Sequence, residues 1–113
     1  MLQMTPFEQL QYIEVGASEQ FPPRAGRQVI IGDYNLAMFR TTDGALYALE
    51  NRTPHKKGGP LTEGIVSGGY VYCPLRDLKI ELSTGLVQAP DTGEVRTYPV
   101  IEEAGIVKVG IPF

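Results

Sequence analysis

The sequence holds one cysteine and one histidine among its 113 residues. A lone thiol, Cys73, cannot form an internal disulfide, and a lone imidazole, His55, has no second histidine to pair with. Positive charge is also scarce: ten Lys and Arg stand against 13 Asp and Glu, a formal net charge of −3. Such a field repels polyphosphates, so nucleic-acid binding is not expected. No Lys or Arg precedes Arg24, so the first residues lack the basic region of a secretion signal. No apolar run approaches the roughly 20 residues that a membrane span requires. These absences predict a soluble cytoplasmic protein with no membrane contact. A Ser/His/Asp arrangement, a phosphate-cradling glycine loop and a dinucleotide fingerprint are all missing, so the chain is not expected to be catalytic on its own.

What is abundant is turn chemistry. Glycine (13) and proline (9) together approach a fifth of the chain, against a usual share of about an eighth. Short β-rich runs alternate with these breakers: residues 12–15, 28–31, 36–41, 45–49, 70–73, 78–82, 95–100 and 106–111 read as strands. In Leu78-Lys79-Ile80-Glu81-Leu82 apolar and charged residues alternate, as they do when one sheet face is buried and the other wet. No stretch carries a sustained helical stripe; Thr5 to Gln11 offers at most one turn, with Thr5 as N-cap and Pro6 at the first helical position. Residues 50–69, with five glycines and two prolines, lack a strand pattern and read as a long loop of the kind that often carries function. The length suits a single domain over residues 1–113, all-β, a sandwich or barrel.

Two segments stand out together: Thr53-Pro54-His55-Lys56-Lys57-Gly58-Gly59-Pro60-Leu61 and Cys73-Pro74-Leu75-Arg76. A Rieske two-iron centre is held by two loops, each giving one Cys and one His; the cysteines bind one iron and the histidines the other. Here 17 residues lie between His55 and Cys73, which fits the spacing of such loops. Further likeness lies in Gly26-Arg27, Leu36 to Arg40, Asp43-Gly44, Tyr47 to Glu50, Gly64-Ile65-Val66, Val71 to Leu75, Lys79-Ile80 and Thr84-Gly85. Over nearly its whole length the chain resembles the Rieske-like small subunit of NAD(P)H-dependent nitrite reductase.

The resemblance implies antiparallel Rieske-like sheets with two loops projecting at one end. It places Thr53, His55, Cys73 and Arg76 where the family pattern has Cys, His, Cys and His. A threonine hydroxyl is a poor substitute for a thiolate on iron, and a guanidinium stays cationic and offers no lone pair. The expectation from these substitutions is that the chain carries no cofactor and no metal of its own. Cys73 then reads as a small buried residue at a strand end, and His55 as a loop imidazole bonded to backbone. In the family nitrite is reduced to ammonia on a large subunit with sirohaem, an iron-sulfur cluster and FAD. The resemblance therefore implies an accessory subunit for nitrate assimilation, docking on that large catalytic subunit. Arg52, His55, Lys56, Lys57 and Arg76 form a basic cluster at the tip that would serve as the docking surface. Two rivals are a Rieske ferredoxin carrying electrons to an oxygenase and a binding module on a cluster-free Rieske scaffold.

Overall fold

The computed structural model describes residues 10–54, 59–73 and 78–112. Ten strands are formed: β1 (Leu10–Ala17), β2 (Gly26–Ile31), β3 (Tyr34–Arg40), β4 (Leu46–Glu50), β5 (Ile65–Ser67), β6 (Tyr70–Tyr72), β7 (Lys79–Glu81), β8 (Thr97–Tyr98), β9 (Val100–Glu103) and β10 (Ile106–Pro112). They make three antiparallel sheets, ordered β1-β10-β9, β2-β3-β4-β8 and β5-β6-β7. No helix among the described residues is long and apolar enough to cross a membrane.

Strand β3 explains the layering. Leu36, Ala37, Met38 and Phe39 are all fully buried, which a strand achieves only when both faces of its sheet are covered. Successive side chains point to opposite faces. Leu36 and Met38 join Ala48, Val107, Val109 and Ile111 beneath the β1-β10-β9 sheet. Ala37 and Phe39 join Leu49, Leu61, Val71, Cys73 and Ile80 beneath the β5-β6-β7 sheet. The four-stranded sheet is thus the middle layer, and each large side chain buried there contributes roughly 1.5–3 kcal/mol. Arg40, at the end of β3, ties layers together: its guanidinium donates to the carbonyls of Phe21 (2.6 Å) and Gly44 (2.9 Å) and to both carboxylate oxygens of Glu102 (3.1 and 2.8 Å).

Several elements depart from the sequence expectation. The stretch read as one strand over residues 95–100 splits at Pro99, with β8 in the middle sheet and β9 in the β1-β10-β9 sheet. Proline has no N–H to continue a ladder, and Pro99 keeps only its acceptor role, taking the Gly110 N–H at 2.9 Å. The long loop at 50–69 contains a strand after all: β5 pairs with β6 across Gly68-Gly69, in register Ile65 with Tyr72 and Ser67 with Tyr70. Residues 5–9 of the suggested helical turn lie outside the described residues. Its last two, Leu10 and Gln11, belong to β1, opposite Pro112 and Ile111.

Candidate functional site

The two segments singled out by their spacing leave the core side by side. The first departs at the end of β4. There the Thr53 N–H donates to the Gly59 carbonyl at 2.9 Å, closing the base of a short loop. Gly59 holds φ +112°, a conformation that L side chains rarely adopt. The second begins where β6 ends, and the Cys73 N–H donates to the Leu78 carbonyl at 2.9 Å. Both bases are buried: Thr53 is 4% exposed and Cys73 1%.

The bases also touch. The Thr53 side chain lies within hydrogen-bonding reach of the Cys73 thiol, so the starts of the two segments meet through polar side chains. Burial pushes the Cys73 thiol up from its ordinary value, and the bond to Thr53 offsets part of that rise. Cys73 packs in one core cluster with Leu61, Val66 and Leu78. A third segment backs the first loop, for a side-chain carbon on Gly93 would lie 3.5 Å from Pro54.

Of the residues assigned to the basic tip, Arg52 is described. It is exposed, and its Nε lies 3.0 Å from a Glu50 carboxylate oxygen. Burial acts to raise the Glu50 carboxyl, but hydrogen bonds from the Arg96 N–H and from Arg52, together with their charges, hold it below the ordinary range. His55, Lys56, Lys57 and Arg76 lie outside the described residues.

One contributor was overlooked in the sequence reading. The Asn51 side-chain oxygen accepts the N–H groups of Leu61 (2.6 Å) and Thr62 (3.1 Å), while its amide nitrogen donates to Asn35 Oδ1 at 3.0 Å. Asn at the mouth of a glycine-rich loop is the available signal, because its short amide readily bonds local backbone. The sequence gives no sign that the partners are ten residues ahead and in a neighbouring strand.

Comparison with known proteins follows the same lines. The family described as "Rieske-like [2Fe-2S] domain" matches residues 11–110. The anthranilate 1,2-dioxygenase ferredoxin subunit of Burkholderia cepacia is 32% identical over 109 residues, covering 96% of this chain and 99% of that protein. A 4β-methylsterol monooxygenase of Methylococcus capsulatus is 32% identical over 96 residues, 75% of this chain, which spans only 26% of that longer protein. Among solved structures, a Mycobacterium tuberculosis protein assigned as the small subunit of an NADH-dependent nitrite reductase superposes with a TM-score of 0.83 at 23% identity, covering 92% of this chain and 97% of its own.

These findings correct the expectation that the chain carries no cofactor. The matched family is a [2Fe-2S] domain and one relative of almost equal length is a ferredoxin subunit, which points to a two-iron cluster. The expectation of no cofactor rested on two substituted positions alone, Thr53 and Arg76. The donors present are not the usual set: the chain has one cysteine and one histidine where two of each are customary, and Thr53 offers a hydroxyl beside Cys73. By fold, paired loops and a match over most of its length, the chain belongs to the Rieske-like [2Fe-2S] domain family.

Proposed function

We propose that this chain is an accessory small subunit of an oxidoreductase, docking through its two-loop end on the large catalytic subunit of a cytoplasmic NAD(P)H-dependent nitrite reductase. The observation that carries the reading is the likeness over nearly the full length of both chains to a nitrite reductase small subunit, at a TM-score of 0.83. The charge distribution supports it: the chain is net negative, yet Arg52, Lys56, Lys57 and Arg76 cluster within the two loop segments. A basic patch on an acidic molecule steers one face toward an acidic partner and sets orientation more than it adds affinity. Arg52 is half engaged by Glu50, so the other cations carry most of this steering.

A second reading is favoured by a different observation, the 32% identity with a dioxygenase ferredoxin subunit across almost both chains. In that case the same end would meet an oxygenase and pass electrons to it. The readings separate by partner. With purified nitrite reductase large subunit, Lys56→Glu/Lys57→Glu is expected to weaken binding by roughly tenfold at low salt and less at high salt. Unaltered binding by the charge-reversed chain, or no binding by the original, removes the proposal.

A further inference from the structure

We infer that Asn51 is the positioning residue for the two-loop end: through the return strand of the first loop it holds Thr53 in place beside Cys73. The inference stands whichever oxidoreductase the chain serves. The chain leaves the core at Asn51 and comes back at Leu61. A single side chain joins them. Asn51 Oδ1 takes the N–H groups of both Leu61 and Thr62, and its Nδ2 is oriented by Asn35 Oδ1 in the middle sheet. The Asn51 N–H donates in addition to the Asn35 carbonyl at 2.9 Å, so the amide is anchored at both ends to β3.

The surroundings are shaped to this closure. Gly26 of β2 lies so near the returning chain that a Cβ there would be 2.1 Å from the Thr62 carbonyl oxygen. Leu61 is fully buried, and the Gly64 N–H donates to its carbonyl at 2.9 Å. With Leu61 and Thr62 fixed, Gly59 is held two residues from an anchored point, and it is the Gly59 carbonyl that receives the Thr53 N–H. The hydrogen bonds of the Asn51 side chain go to Leu61, Thr62 and Asn35, so its influence on Thr53 passes through this chain of bonds. The position must accept two N–H groups; a carboxylate can also do so, with the Asn35 amide turning to donate to it and the Gln28 amide, which donates to Asn35 Oδ1 at 3.1 Å, turning in step.

Hydrogen-deuterium exchange on the intact chain, resolved to single amides, tests this. In Asn51→Ala the Thr53 and Cys73 amides are expected to exchange about tenfold faster or more, the usual consequence of leaving buried donors unpaired, while β3 amides keep their protection. Asn51→Asp should stay within about threefold of the original chain. Val109→Ala, in the opposite core, lowers global stability without reaching the loops and should leave the Thr53 rate unchanged relative to β3. If Asn51→Ala does not fold, Asn35→Ala, which removes only the orienting acceptor, is read the same way, with a rise of about threefold expected. Unchanged Thr53 exchange in the folded alanine variant, or an equal rise in Val109→Ala, overturns the inference.

Discussion

At the level of single residues, Arg40 and Thr53 illustrate how differently a side chain can be read from sequence. Arg40 follows four apolar residues and nothing near it announces Glu102, 62 positions later; only folding brings β3 against β9. The Arg40 hydrogen bonds hold the Glu102 carboxyl below the usual carboxylate range, with a further contribution from Ser18. A carboxyl whose folded pKa is depressed stabilises the fold above its unfolded pKa, and that stability is lost as pH falls through the folded value. Glu102→Gln is therefore expected to lower stability at neutral pH by about 1 kcal/mol, the pair being partly exposed. The difference should vanish in acid below the carboxylate range, as denaturant melts at both pH values would record. Equal destabilisation at the two pH values would assign the effect to packing instead. Thr53 was placed at a ligand position by the family resemblance, two residues before His55, whose spacing from Cys73 fits the pattern; its side chain lies near Cys73. Thr53→Cys places a second thiol at that contact. After anaerobic reconstitution it is expected to retain more iron per chain than the original, measured by metal analysis; identical iron contents would show that position 53 does not face the metal.

Elements were most readable where alternation was regular and least where backbone geometry decided. Leu78, Ile80 and Leu82 are buried while Lys79 and Glu81 stay partly exposed, as their two-residue period required. Strand β5 was hidden because three residues in a glycine-rich stretch carry too little pattern, and its identity comes from pairing with β6 rather than from its own composition. Pro99 was visible, but that it moves the chain from one sheet to another depends on where β10 lies. Turn residues were recognisable by type, though not by which of them are tightly packed. Gly85 is the sharpest case: it holds φ +78°, and a Cβ would lie 2.1 Å from the Val95 carbonyl oxygen. Gly85→Ala is expected to cost roughly 2 kcal/mol or more, since both the backbone conformation and the neighbouring carbonyl resist it. A loss within about 0.5 kcal/mol in a denaturant titration would mean that the β7 turn relaxes freely.

For the whole molecule, the sheet sandwich puts two core clusters on either side of one buried sheet. In that architecture the stability is set by β3 and its neighbours. A fold could be read from turns and alternation, whereas the partner could not: the charges proposed for docking, Arg52, Lys56, Lys57 and Arg76, suggest an acidic surface without naming the protein that carries it. Family membership gives a [2Fe-2S] domain; one relative of similar size is a ferredoxin subunit, and a solved structure of the same fold is assigned as a nitrite reductase small subunit. The measurement that separates them is purification of the tagged chain from its native cells grown on nitrite, with identification and stoichiometry of what accompanies it. The account predicts the large subunit of nitrite reductase in fixed ratio, released by raised salt. An oxygenase in its place, or a chain that emerges without a stoichiometric partner, would contradict it.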